Sequence, residues 1–235
     1  MIELRREGDV FILEMDAGEN RFTVESAARV HELLDEVEAA GKPSALVTVG
    51  AGKFYSNGFD LVQMMADGGA NMKEQLEETL RVLARVLAFP APTVAAVNGH
   101  AFGAGAQLAV AHDFRIMRAD RGYWCMPEID MPAPLHPGMI ALLQARIPAV
   151  TVSELITTGR RYGGEEAVAA GIMDENAPED QVLPRAIEIA AGLAGKADPV
   201  MRTLKEGLYP SALHQLGLGA AATPGVDPSR RIEPR

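Results

Sequence analysis

Asn98-Gly99-His100-Ala101-Phe102-Gly103-Ala104-Gly105-Ala106-Gln107 and, further along, Tyr123-Trp124-Cys125-Met126-Pro127-Glu128 are the two stretches on which the reading of this chain turns. The first places a tight glycine turn between an apolar run, Thr93-Val94-Ala95-Ala96-Val97, and a small-residue helix. Bare N–H groups then stand at a helix start, where partial positive charge collects and an oxyanion can be held. The second supplies one carboxylate, Glu128, among the apolar residues Trp124, Met126, Ile129 and Met131. If these surround it, they disfavour its ionised form and raise its pKa toward the range useful for moving a proton. Each stretch alone is weak. A dinucleotide fingerprint would need a glycine where Leu108 stands, and a glutamate after a proline is ordinarily an exposed loop carboxylate.

Outward from these stretches, strand and helix alternate. Residues 10–15 and 45–49 read as buried strands, and Val24, Ala27, Val30, Leu33, Leu34 and Val37 fall at helical spacing over 23–39, with Thr23 as N-cap. An amphipathic helix is predicted over 72–88, stopped by Pro90 and Pro92. Strand 93–97, a turn over 99–105, helix 106–111 and strand 114–118 follow. That order predicts an α/β architecture with helices over sheet layers. From 139 onward helical patterns dominate, at 139–146, 151–158, 165–170, 181–195 and 198–206. The expected organisation is a core over 1–138, a helical region over 139–216 and a loose tail over 217–235. No fixed-period sequence repeat suggests a solenoid.

The composition narrows the partners. With 22 basic and 32 acidic residues the formal charge is −10, which opposes non-specific nucleic-acid binding, so an anionic ligand must find a local basic patch. The single cysteine, Cys125, permits no intrachain disulfide and is expected to serve packing. The opening residues lack an apolar signal core, no apolar run reaches membrane-spanning length, and Ile232-Glu233-Pro234-Arg235 is no peroxisomal address. A cytoplasmic protein is expected. His31, His136 and His214 show no metal-ligand spacing with Cys125, and no metal is predicted. His100 reads as structural, and His112-Asp113 as a helix-end pair for packing and capping, not a relay.

Lys53-Phe54-Tyr55-Ser56-Asn57-Gly58-Phe59-Asp60-Leu61, followed by the turn at 98–107 and by Met126-Pro127-Glu128, resembles the crotonase, or enoyl-CoA hydratase/isomerase, superfamily. The likeness runs from the first strand to about Tyr209. The stretch from Tyr123 to Asp130 most resembles the (3→2)-enoyl-CoA isomerases. The resemblance implies a spiral of ββα units, a C-terminal helical region supporting trimers or pairs of trimers, acyl-CoA thioester substrates and no cofactor apart from the coenzyme A carried by the substrate.

It also implies roles. The backbone N–H groups of Phe59, after Gly58, and of Ala104, between Gly103 and Gly105, would form an oxyanion hole, and Glu128 would shuttle a proton from C2 to C4 of a 3-enoyl chain. Alanine at 104 departs from the glycine of most relatives, which a backbone donor tolerates. Gln107 stands where hydratases place a second glutamate. An amide can hold a water but cannot take its proton, so the substitution favours double-bond migration over hydration. Pro132, where relatives carry glycine, would reshape the acyl-tail pocket. Arg21 and Lys53 are candidates for the nucleotide end of CoA, with Ser56 and Asn57 lining its path. Asp60 is expected to fix loop geometry, and Asp130 and Glu166 are the alternative acids. The rival readings are an enoyl-CoA hydratase working without the second glutamate and a non-catalytic CoA-ester-binding protein.

Overall fold

Alternate residues of β2 (Val10–Met15), β3 (Ala45–Gly50), β5 (Thr93–Val97) and β7 (Phe114–Arg118) face opposite sides of one sheet, and both sides are covered. Burial on both faces is why these strands read as unbroken apolar runs with no polar alternation. The structure, a computed structural model, describes residues 1–66, 69–131 and 134–218. Pro132 and residues 219–235, and with them the expected reshaping of the tail pocket and the loose tail, lie outside the described residues.

The sheet has six strands in the order β1-β2-β3-β5-β7-β9, where β1 is Ile2–Glu7 and β9 is Glu175–Ala177; only β1 runs antiparallel to its neighbour. On one face Val10, Ile12, Val47, Val94, Ala96 and Ile116 pack against Val182, Ala186 and Ala190 of α8 (Glu179–Leu193). On the other, Phe11, Leu13, Leu46, Ala95, Val97 and Met117 join the larger core under α1 (Val24–Ala40), α3 (Met72–Leu87) and α4 (Ala104–Ala111). Thr23 caps α1 as expected: its hydroxyl accepts from Ser26 N at 3.1 Å, and Ser26 Oγ accepts from Thr23 N at 2.8 Å, a reciprocal cap.

A second, parallel sheet has three short strands, β4 (Phe54–Ser56), β6 (His100–Phe102) and β8 (Trp124–Cys125). The chain thus makes three successive ββα turns: β3–β4 into α2 (Leu61–Met65) and α3, β5–β6 into α4, and β7–β8 into α5 (Pro137–Arg146). This is the crotonase spiral. Its repeats escape a sequence search because β3, β5 and β7 begin at residues 45, 93 and 114, with unequal insertions between them.

The expected turn over 99–105 contains β6, and α4 begins at Ala104, two residues earlier than predicted. A three-residue strand is too short to show a period. The boundary expected at 138/139 falls inside α5, whose Pro137 supplies a first-turn residue with no N–H to lose. Beyond it lie α6 (Ala149–Thr158), α7 (Gly164–Ala169), α9 (Pro199–Leu208) and α10 (Pro210–Gln215).

Two polar clusters lock the layers. His112, fully buried, presents Nδ1 to Leu108 O at 2.7 Å, so that nitrogen carries the proton and Nε2 accepts from Thr48 Oγ1 at 3.0 Å; Thr48 in turn accepts from Tyr55 Oη at 2.7 Å. Burial pushes His112 down to about 4, consistent with a neutral ring. Asp113 accepts from Lys205 Nζ at 2.7 Å and from Thr93, pinning α9 to the sheet. The pair 112–113 is structural, as expected.

Candidate active site

All three short strands end at one place. β4 runs into Gly58-Phe59, β6 into Gly103-Ala104 and β8 into Met126-Pro127-Glu128. Gly58 has φ +79°, and a methyl group on it would lie 2.7 Å from Phe102 O and 3.2 Å from Ala104 N, so the first two turns touch through bare backbone. That close approach, not flexibility, is what glycine permits here. Gly103, at φ +51°, opens α4. Neither the Phe59 nor the Ala104 amide donates to a protein acceptor among the described residues. An N–H in the first turn of a helix has no partner within the helix, and that of Ala104 sits in a residue only 1% exposed.

The first turn is braced from behind. Phe22 N donates to Gly58 O at 2.7 Å and Asp60 N to Phe22 O at 3.0 Å. Asn20, held at φ +51°, sends Nδ2 to Phe54 O and Tyr55 O, and its carbonyl accepts from Ser56 Oγ at 2.7 Å. Sequence reasoning passed over this asparagine; its signal was the tolerance of Asn for the left-handed region. Ser56 is fully buried and spends its hydroxyl inside the protein, so it supports the turn and lines no path. Asn57 donates to Glu19 at 2.9 Å. Arg21 is paired to Glu19 and donates to Phe59 O at 3.3 Å, so its charge is already matched. Lys53 makes no salt bridge among the described residues, lies over the Phe54 ring and is near enough to Glu19 to help lower its pKa. Asp60 caps α2, accepting from Gln63 N at 3.0 Å, the geometric role expected of it.

Glu128 opens a 3-10 turn, Glu128–Asp130, seated against α6, whose carbonyl at Gly159 accepts from Cys125 Sγ at 3.3 Å. Its Oε1 lies 3.3 Å from where a Gly103 Cβ would stand, directly over the second turn. Its Oε2 is buried with no hydrogen-bond partner. Burial pushes the acid up to about 7 from its ordinary 4.5, opposed only by a backbone hydrogen bond within its own residue. The apolar wall differs from the expected one. Met126 and Ile129 line the cavity of about 390 Å³ beside Glu128, with Pro134, Leu135, Ile140 and Ile156. Trp124 instead turns into the core and donates to Ala106 O at 3.0 Å, and Met131 is 44% exposed.

Gln107 is fully buried one helical turn beyond Gly103, and neither its Oε1 nor its Nε2 has a partner among the described residues. Among the described residues that line the cavity, Glu128 is the one carboxylate. Cys125 is buried and its thiol pushed up to about 11 by desolvation, the packing role expected. Of the alternative acids, Glu166 has its carboxylate engaged by Arg160 and by the Gly163 amide. Among the described residues no His, Cys, Asp and Glu grouping could hold a metal ion, and no helix is long and apolar enough to cross a membrane.

The raised acid carries a stability signature. Between pH 4.5 and about 7 the folded chain keeps a proton on Glu128 that the unfolded chain has released, so this group's contribution to stability falls as pH rises and its penalty is complete above about 7. Thermal unfolding of wild type and Glu128→Gln should show the variant gaining at pH 8 relative to pH 5. A melting-temperature difference that does not change with pH contradicts the burial described.

A family model for enoyl-CoA hydratase/isomerase matches residues 7–219. Enoyl-CoA delta isomerase 3 of Arabidopsis thaliana is 36% identical over 230 residues, covering 94% of this chain and 97% of that protein. Carnitinyl-CoA dehydratase of Escherichia coli K12 is 30% identical, covering 87% and 78%. Among solved structures, a probable enoyl-CoA hydratase from Mycobacterium tuberculosis H37Rv superposes with a TM-score of 0.85 at 24% identity, covering 92% of this chain and 91% of that one. This chain belongs to the enoyl-CoA hydratase/isomerase family.

Proposed function

We propose that the protein is an enoyl-CoA delta isomerase, converting a 3-enoyl-CoA to the 2-trans-enoyl-CoA. The thioester oxygen sits between the Phe59 and Ala104 amides. Glu128, as carboxylate, takes a proton from C2; the electron pair moves onto the carbonyl oxygen as an enolate; the same proton returns at C4 as the double bond shifts to C2–C3. Fixed donors in a water-poor site stabilise the enolate more than the neutral thioester. The observation that carries this reading is the half-buried carboxylate of Glu128 over Gly103, whose Oε2 has no hydrogen-bond partner, with an amide, Gln107, as the fully buried polar group beside the turn. The 36% identity to the Arabidopsis isomerases supports it. No cofactor is needed, because proton transfer requires only base and oxyanion donors.

The apolar cavity beside Glu128 suits an aliphatic acyl tail, in keeping with fatty-acid β-oxidation. Val200, Leu204 and Leu208 form an exposed apolar stripe along α9, which suits packing into a trimer or a pair of trimers. A cytoplasmic location is the reading the sequence favours, whereas two Arabidopsis relatives are named as peroxisomal.

The test is to offer 3-enoyl-CoA and 2-enoyl-CoA separately and identify the products. Conversion of the first alone supports isomerisation. Formation of 3-hydroxyacyl-CoA from the second favours the hydratase, with water held by Gln107; binding without turnover favours a CoA-ester-binding protein. Because the resting base must be ionised, kcat/KM should climb as pH rises through about 7 and level above it.

A further inference from the structure

The two oxyanion donors are held by different means. That of Ala104 opens α4, whose eight residues are all buried, so the core itself fixes it. That of Phe59 lies in a turn between the short strand β4 and the five-residue helix α2, where Met64 is buried and Leu61, Val62 and Met65 are exposed. Few apolar contacts hold the turn on that side, and its aim must come from hydrogen bonds.

Those bonds run through Phe22. It pairs with Phe59 as an isolated parallel bridge, in which Phe22 N donates to Gly58 O at 2.7 Å and Phe22 O accepts from Asp60 N at 3.0 Å. The residue between two such bonds turns its own N–H to the opposite side. The Phe59 amide therefore points away from Phe22 because both of its neighbours are bound to Phe22, and whatever holds Phe22 sets the direction of the donor.

Phe22 is tied in turn to α3. Gln75, fully buried on that helix, sends Nε2 to Phe22 O at 2.7 Å and to Asp60 O at 3.4 Å, so its two amide hydrogens meet a carbonyl on each side of the bridge. The other end of the same amide has no such partner: Oε1 is buried without a hydrogen bond among the described residues. A buried acceptor left unpaired is a cost that methionine would avoid at similar volume. Packing alone does not account for glutamine here, whereas its donors do. Because α3 also packs against α4, the Phe59 turn and the Ala104 amide are referred to one pair of helices, which fixes the spacing of the two donors.

We propose that Gln75 is a positioning residue for the reaction: through the carbonyls of Phe22 and Asp60 it aims the Phe59 N–H at the thioester oxygen, from within the core and without touching the substrate. The proposal rests on the thioester reading of the active site, and its test separates the two. Gln75→Met keeps the length of the side chain without its donors, and Gln75→Glu keeps the shape with at most one donor hydrogen. Thr79→Val is the control, because Thr79, equally buried one turn along α3, donates to Gln75 O at 2.8 Å and has no bond to the turn. Steady-state kinetics on a 3-enoyl-CoA and thermal unfolding are measured for each variant. The carbonyl stretch of bound 2-enoyl-CoA, labelled with carbon-13 at C1, is read by infrared difference spectroscopy, since hydrogen bonds to that oxygen lower its frequency.

In Gln75→Met, kcat should fall about 10–10²-fold with KM within about threefold of wild type, the cost of a donor that is present but misaimed. The carbonyl stretch should move back toward its value in free 2-enoyl-CoA. Thr79→Val should lower the melting temperature and leave kcat and the stretch at wild type. Should Gln75→Met lose its cooperative unfolding transition, Gln75→Glu carries the same measurements with the same expectation. A Gln75 variant that melts lower but keeps the wild-type kcat and stretch overturns the proposal and leaves Gln75 a packing residue. An equal loss of kcat in Thr79→Val also overturns it, because the seating of α3 and not the tie to Phe22 is then what the reaction needs. If no 3-enoyl-CoA turns over, yet wild type lowers the stretch of the bound thioester and Gln75→Met does not, the positioning role stands and the isomerase reading fails.

Discussion

Glu128→Gln lowers turnover of a 3-enoyl-CoA by about 10²–10⁴-fold, with little change in KM. The amide matches the carboxylate in shape, so the cavity and the turn over Gly103 are kept, and what is lost is the ability to hold a transferable proton. A loss in kcat with KM preserved marks an interaction that matters in the transition state and not in binding. Steady-state kinetics at pH 8, where wild-type Glu128 is mostly ionised, gives the cleanest comparison. Turnover within threefold of wild type would remove Glu128 from the chemistry and return attention to Asp130.

Gly58→Ala should cost about 10²–10³-fold in kcat, the scale of losing one oxyanion donor. The new Cβ would stand 2.7 Å from Phe102 O and 3.2 Å from Ala104 N, both backbone atoms, at a φ of +79° that L side chains rarely adopt. The strand ends must part, and the Phe59 and Ala104 amides separate with them. Ala104→Gly is the matched control: it leaves the amide in place and should remain within a few-fold of wild type. Equal losses in both variants, with folding confirmed by thermal unfolding, would mean that side-chain packing at 104 and not its N–H is what the reaction uses.

What the chain disclosed in advance followed its physics. The buried strands were legible because a sheet covered on both faces demands continuous apolar runs, as in Ala45–Gly50 and Thr93–Val97. The helix at Val24–Ala40 announced itself through its spacing and Thr23. The strands that build the site, Phe54–Ser56, His100–Phe102 and Trp124–Cys125, were not legible, since three residues or fewer carry no period. The resemblance marked the turns that follow them, not the strands themselves.

At the site itself, the turns and Glu128 can be named from sequence, and of the four apolar neighbours expected to surround the acid Met126 and Ile129 do so, whereas Trp124 and Met131 do not. The rest of its burial cannot be read there. Leu135, Ile140 and Ile156 come from beyond the turn, brought in by α5 and α6, and no local pattern reports a contact of that range. Ser56 shows the reverse error: a hydroxyl beside a binding motif suggested a ligand, but the fold needed it to hold Asn20.

The central claim, one acid moving one proton across an enolate held by two backbone amides, is tested most directly by isotopic labelling. A 3-enoyl-CoA carrying deuterium at C2 is converted in ordinary water under single-turnover conditions, and the product is read by mass spectrometry and NMR. The account predicts that part of the deuterium reappears at C4, carried there by Glu128, and that Glu128→Gln forms no product on the same timescale. Hydrogen at C4 drawn wholly from solvent, together with undiminished conversion by the Glu128→Gln variant, would contradict it.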